Sequence, residues 1–296
     1  VSGLSKRVIG VIGGSGLYAL DGLEDARALN IETPWGAPSG PVIHARLSGV
    51  EVRFLARHGE GHRTPPSSIN YRANIAALKI AGVTDIISVS ACGSFREELA
   101  PGVFVIVDQF IDRTHGRASS FFETGCVAHV SMAHPVCPAL GDAIEASLKA
   151  VGAPYQRGGA YVCMEGPQFS SRAESLLYKS WGAHVIGMTN MPEAKLAREA
   201  EIAYATMAMV TDYDCWREGD AHVEVADILA IMHANTLNAK KALRELAPRL
   251  GPTRKPSPSG ADTALDHALI TPREARDASV VARLSTIAGR AFAAGR

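Results

Sequence analysis

The chain has 296 residues, 47% of them apolar, with 30 Lys plus Arg against 30 Asp plus Glu and a formal charge of zero. That is enough for a sizeable core, in one large α/β domain or two smaller ones. The even charge argues against a nucleic-acid partner, no apolar stretch approaches the roughly 20 residues of a membrane span, and the first eleven residues are too short and mixed for a signal peptide.

The first strand is predicted at Arg7–Ile12 and runs into Gly13-Gly14-Ser15-Gly16. A glycine-rich turn after a strand exposes backbone N–H groups, which suits a phosphate. Gly14-x-Gly16-x-x-Ala19 also fits the dinucleotide fingerprint, with Glu32 at a tempting distance. That fingerprint needs a helix directly after the glycines, and Leu20-Asp21-Gly22-Leu23, then Pro34 and Gly36, break helical periodicity. An anion site ranks first here, a plain tight turn second, an NAD site third.

A second strand is predicted at Val50–Leu55, ahead of Arg57-His58-Gly59-Glu60-Gly61-His62. A helix is predicted from Ser67 to Ala81, with Gly82 just past its end. Asp85–Ser90 and Val103–Asp108 read as buried strands. Ser171–Trp181 reads as a helix with Ser171 and Glu174 at capping-box spacing. Val185–Thr189 and Ala203–Val210 are strand-like, and Glu224 to Leu250 is a long amphipathic helix. Pro252–Gly260 is rich in Pro and Ser. Beyond it, Thr271-Pro272-Arg273-Glu274 carries N-terminal helix signals, with Val280, Leu284 and Ile287 on one face. The alternation predicts an α/β fold: a single domain with a central mixed β-sheet flanked by helices. It would span 1–251, followed by a linker or surface loop over 252–270. A C-terminal helix within 271–296 would pack on the domain or on an adjacent subunit. Cys92, Cys126, Cys137, Cys163 and Cys215 form no C-x-x-C pair and read as reduced thiols of a cytoplasmic protein.

Ligands of open α/β sheets bind at the carboxyl ends of strands. Those ends here carry Ser90-Ala91-Cys92-Gly93-Ser94, Gly187-Met188-Thr189, Thr211-Asp212-Tyr213-Asp214 and the Arg57-His58 segment. Singly, each has a plainer reading: Ser90 as a turn cap, Asp212 and Asp214 as solvated carboxylates. Jointly they make a phosphate cradle beside two carboxylates one residue apart. His58-x-x-x-His62 has the spacing of two metal ligands on a helix, but Gly59 and Gly61 disfavour the helix. Arg57 suits an oxyanion better, because a guanidinium offers a bidentate fork. No nucleophile stands out: Ser170-Ser171 lacks the G-x-S-x-G context, and no base is assignable to Cys92.

Taken together, these segments resemble the methylthioadenosine phosphorylase branch of the trimeric purine nucleoside phosphorylases. The resemblance rests on Val11-Ile12-Gly13-Gly14-Ser15-Gly16-Leu17, Ala56-Arg57-His58-Gly59, Asn70-Tyr71-x-Ala73-Asn74, Ala91-Cys92-Gly93-Ser94 and Asp108-Gln109-Phe110-Ile111-Asp112-Arg113-Thr114. Its most specific parts are Glu165-Gly166-Pro167-x-Phe169-Ser170-Ser171-Arg172-Ala173-Glu174 and Thr211-Asp212-Tyr213-Asp214-Cys215-Trp216. It covers residues 8 to about 250 in the family's order.

The resemblance implies phosphorolysis of 5'-methylthioadenosine, within purine and methionine salvage. It implies a phosphate site of Ser15, Arg57, His58, Ser90, Ala91 and Thr189. Met188 would meet the ribose, Phe169 the purine, Asp212 purine N7 and Asp214 the 6-amino group. Val225 and Ile228 would form an apolar wall for the methylthio group. His129 would arrive from a neighbouring subunit, making the active unit a homotrimer or a dimer of trimers. Phosphate is then a co-substrate, and no metal, organic cofactor, nucleic acid or membrane is implied. For Asp212 to act as an acid, its pKa would have to be raised, as closeness to Asp214 in a dry site would do. Departures from the family pattern are Ser15 and Ser90 for Thr, Gln168 for Arg and Gly187 for Asn. The alternatives are a phosphorylase of the same fold acting on 6-oxopurine nucleosides or methylthioinosine, a dinucleotide-binding protein, and a non-catalytic nucleoside sensor.

Overall fold

The computed structural model describes residues 4–17, 20–217 and 225–295, and gives only the backbone of Ser15 and of residues 225–228. The short β1 (Ser5–Lys6) leads into β2 (Val8–Gly13), buried at every residue. β3 (Leu23–Leu29), β4 (Val42–Leu47) and β5 (Val50–Ala56) are joined antiparallel, and β5 lies parallel to β2. Then come α1 (Tyr71–Ile80), β6 (Asp85–Ser94), β7 (Phe104–Val107), β8 (Gln109–Arg113), α2 (Pro138–Ala150), β9 (Tyr155–Arg157) and β10 (Ala160–Met164). The chain continues through α3 (Arg172–Ser180), β11 (Val185–Gly187), α4 (Asn190–Glu199), β12 (Ala203–Asp212), α5 (Val225–Leu250), β13 (Thr253–Arg254) and α6 (Ala278–Ala293).

Among the described residues, eleven strands form one mixed sheet in the order β3-β4-β5-β2-β6-β11-β10-β8, with β12, β7 and β9 branching from β6. Its central strands are near-continuous apolar runs because both faces are covered. On one face Ile75 of α1, Leu196 of α4 and Leu284 of α6 join a single buried cluster. On the other, Ile144 of α2 and Leu243 of α5 join a second. The result is a single α/β domain with a mixed central sheet between two helical layers.

The sheet forks at β6. β2 pairs with it along Asp85–Ser88, and β11 pairs with the same edge only at Gly93–Ser94. β12 runs along the opposite edge throughout. Residues 89–92 of β6 therefore have no strand beside them on the forked edge, and the main cavity opens there.

Three boundaries depart from the sequence reading. α1 starts at Tyr71, because Pro66–Ser68 forms a separate 3-10 turn and Asn70 is the cap, accepting from Ala73 N at 3.1 Å. α6 starts at Ala278, capped by Asp277, because the Thr271 hydroxyl is occupied by the Val127 N–H at 2.9 Å. Within 252–270 the backbone is anchored: β13 pairs with β1, Arg254 is buried against Asp85 at 3.2 Å, and Leu265 and Ala268 enter the core. α6 packs against α1 of its own chain, with Val280, Leu284 and Ile287 buried as their spacing predicts. Among the described residues, Ser15–Leu17 is a 3-10 turn and the next element is the strand Leu23–Leu29, so they show no βαβ unit of a dinucleotide site here.

Candidate active site

A cavity of about 750 Å³ fills the fork, lined by the segments that follow β2 and β5 and by β6, β10, β11, β12 and α5. Its floor at one end is Arg57, 2% exposed. Arg57 Nε donates to Glu193 Oε2 at 2.7 Å, and Nη2 donates to Glu193 Oε1 at 3.0 Å and to Ser88 Oγ at 2.7 Å. Nη1 donates to Val89 O at 3.0 Å. The expected bidentate fork is thus spent on Glu193, and among the described residues one Nη1–H has no partner and is left to offer an anion. Burial works against the Arg57 charge, but Glu193 beside it holds the guanidinium pKa above its usual value. Glu193 also accepts from Ser88 Oγ at 2.8 Å and from Tyr204 Oη at 2.9 Å.

His58 sits beside Arg57, with Nδ1 2.8 Å from Thr64 O. A carbonyl only accepts, so Nδ1 carries the proton and Nε2 is the free ring nitrogen. Burial pushes the imidazole pKa down to about 4, with Arg57 adding to the effect. His62 stacks on His58 with ring centroids 4.0 Å apart, so the two rings lie face to face rather than converging as helix-borne ligands would. Ser90 Oγ lies 3.2 Å from Thr189 Oγ1, and Ala91 lines the same wall. Met188 is held by its carbonyl, which accepts from the buried Arg117 Nη1 at 2.7 Å.

The other end is acidic. Asp212 Oδ1 accepts from Thr211 Oγ1 at 2.7 Å, and Oδ2 accepts from Asp214 N at 2.9 Å. Gly93 lies directly beneath, where a Cβ would stand 3.0 Å from Asp212 Oδ2. Asp214 takes a left-handed φ of 52°, and its Oδ2 accepts from the buried Ser175 hydroxyl. Burial raises the Asp214 carboxyl pKa, the Ser175 hydrogen bond opposes this, and the Asp212 charge adds to it. α3 is set by the capping box read from sequence, with Ser171 Oγ accepting from Glu174 N, and it delivers Ser175. Phe169 lines the mouth, 65% exposed. Cys92 is buried, and burial raises its thiol well above the usual range, which disfavours a thiolate nucleophile.

The structure thus brings Arg57, His58, Ser90, Ala91, Thr189, Met188, Phe169, Asp212 and Asp214 around one cavity. His129 is not among them. It is exposed and lines a separate hollow of about 410 Å³ with Phe122, Val127 and Glu199. The side chains of Ser15, Val225 and Ile228 lie outside the described ones. α5 supplies Leu229 and Met232 to the cavity, the next apolar positions on a helical face. Sequence reasoning missed Glu193, Ser175 and Tyr161. Pro192 next to Glu193 was the available signal, since Pro is favoured in a first helical turn.

Residues 8–248 match the phosphorylase superfamily. S-methyl-5'-thioadenosine phosphorylase of Cereibacter sphaeroides is 59% identical over 285 residues, covering 96% of this chain and 98% of that one. The protein of the same name from Bradyrhizobium diazoefficiens is 57% identical, over 97% and 99% of the two chains. Among solved structures, a methylthioadenosine phosphorylase sourced from an antarctic soil metagenomic library superposes with a TM-score of 0.87 at 46% identity, over 96% of this chain and 99% of that one. Methylthioadenosine phosphorylase from Schistosoma mansoni in complex with tubercidin gives a TM-score of 0.76 at 34% identity, over 83% and 92%.

Proposed function

The chain belongs to the phosphorylase superfamily, among its methylthioadenosine phosphorylases, and from that premise we infer that it cleaves 5'-methylthioadenosine with inorganic phosphate, releasing adenine and 5-methylthioribose 1-phosphate. One observation carries the reading: a single cavity has anion-binding groups at one end and two carboxylates at the other.

The chemistry follows from that polarity. Exchange of base for phosphate at C1' passes through a ribosyl cation. A phosphate held by Arg57, Ser90, Ala91 and Thr189, with its P–OH donating to His58 Nε2, stabilises the cation and then captures it. Ser15 completes this cradle on the resemblance alone. Met188 supports the ribose and Phe169 the purine, with the methylthio group against α5 at Val225, Ile228, Leu229 and Met232. The purine leaves as a neutral molecule when N7 takes a proton from the Asp212 carboxyl or from a water that Asp212 orders, and the carboxylate then accepts from that N7–H. An ionised Asp214 accepts from the 6-amino group and rejects a 6-oxo group. Inorganic phosphate is the co-substrate, and the cycle uses no metal or organic cofactor. Base release should be measured from methylthioadenosine, adenosine and inosine, with and without phosphate. Release from methylthioadenosine that needs no phosphate would make this a hydrolase and overturn the reading.

A second reading is favoured by the raised pKa of Asp214, because a protonated Asp214 donates and so matches a 6-oxopurine. The sign is set by that raise. Above its pKa Asp214 is a carboxylate and selects adenine, and the selection is lost as pH falls through it. The kcat/KM ratio of methylthioadenosine to methylthioinosine should therefore fall as pH drops through the Asp214 pKa, approaching tenfold per unit below it. Asp214→Asn should abolish this slope, and a slope that survives the substitution removes Asp214 from base selection.

We also propose that the active unit is a homotrimer, or a dimer of trimers, in the cytoplasm. The exposure of His129, beside Val127 on its own hollow, supports a role toward a neighbouring subunit. Sedimentation at the monomer mass in an active preparation would remove His129 from the site.

A further inference from the structure

Tyr161 lies on β10 opposite Val185 of β11, fully buried. Cross-strand partners share a face and alternate positions follow suit, so Tyr161 shares its face with Gly187, two residues on. Its ring reaches along the strands into the space where a residue-187 side chain would sit. A Cβ on Gly187 would overlap Tyr161 Oη and come within 2.7 Å of its Cζ. Phe110 of β8 backs the ring edge-on, with centroids 6.0 Å apart. The departure from the family pattern at Gly187 thus has a structural counterpart: a tyrosine hydroxyl occupies the space a side chain there would need.

That hydroxyl ends 3.2 Å from Ser90 Oγ, which is 3.2 Å from Thr189 Oγ1 and 3.1 Å from Ala91 O. A buried phenol must hydrogen-bond, and Ser90 Oγ is the partner the structure gives it. Burial pushes the Tyr161 pKa well above its usual range, so it remains a neutral O–H donor. When Tyr161 donates to Ser90 Oγ, a Ser90 lone pair is occupied and the Ser90 proton is left to point elsewhere. An anion in the cavity is a stronger acceptor for that proton than the Ala91 carbonyl or the Thr189 hydroxyl.

We propose that Tyr161 is a positioning residue of the phosphate site, polarising Ser90 so that the serine hydroxyl donates to the anion, and that Gly187 is glycine to admit it. The proposal rests on the reading of this cavity end as the phosphate site.

The test is Tyr161→Phe, which removes one oxygen and keeps the ring. KM for phosphate should rise about 3- to 10-fold with KM for methylthioadenosine unchanged. In a Ser90→Ala background, Tyr161→Phe should add nothing to KM for phosphate, because it acts through Ser90. An unchanged phosphate KM, an equal rise in both KM values, or additive effects in the double variant would each overturn the proposal. If base release by the unmodified protein needs no phosphate, the underlying reading fails instead. With phosphate dependence intact, only the Tyr161 relay is at stake.

Discussion

Glu193→Gln should leave a protein less stable by about 3–5 kcal/mol and poor in phosphate use, although Glu193 is placed to meet no substrate. The pair it forms with Arg57 is buried on both sides, at 2% exposure for Arg57 and 1% for Glu193. A glutamine keeps the shape and loses the charge, so the guanidinium is left buried without its counter-ion. Removing one member of such a pair costs more than the pair contributes, because an unpaired buried charge stays behind. Arg57 would then turn toward Val89 O, Ile12 O or the cavity, and its one free Nη1–H would lose its aim. Calorimetric unfolding with phosphate KM reads both effects. A thermal midpoint and phosphate KM equal to those of the unmodified protein would show that Glu193 does not organise the anion end.

Asp212→Asn should lower kcat by about 10²- to 10⁴-fold with little change in stability. The amide fits the same frame, since its oxygen can still accept from Thr211 Oγ1 or from Asp214 N. What it cannot do is carry negative charge toward a protonating N7. A substrate alkylated at N7 provides the control, because its base already leaves as a neutral molecule and needs no proton. The variant should lose most of its defect on that substrate. An equal loss on both substrates would move Asp212 from leaving-group chemistry to mere positioning.

Legibility in the sequence followed the range of the interactions. The α3 capping box is written within four residues, and its helix lies where Ser171 and Glu174 place it. The buried strands show as near-continuous apolar runs because both faces of the sheet are covered. Arg57, His58, Ser90, Asp212 and Asp214 stood out as polar residues where apolar strands end. Glu193 did not, since a glutamate in a charged-looking stretch reads as solvent-facing. Its partners Arg57 and Ser88 are 136 and 105 residues away. Tyr161 was hidden likewise, for a tyrosine in a strand reads as core until Ser90 is seen 71 residues off. The α6 start was misplaced because Thr271 offers two competing uses for one hydroxyl, and only the fold shows that Val127 takes it.

The fork also makes the sheet a ruler. Ala208 pairs with Ser90, and after a one-residue register shift between Val210 and Asp212, Asp212 pairs with Gly93 on the same two strands. The gap between the anion end and the acid end is three residues of β6, about 10 Å at the usual strand rise. A backbone ladder sets that gap, not a rotamer or a lid. Removing that shift would set Thr211 opposite Gly93 and turn Asp212 to the other face before it changed the gauge. Nucleosides of another length therefore cannot be gained by sliding one end past the other. New substrates have to be admitted at the open margin, where α5 and Phe169 stand.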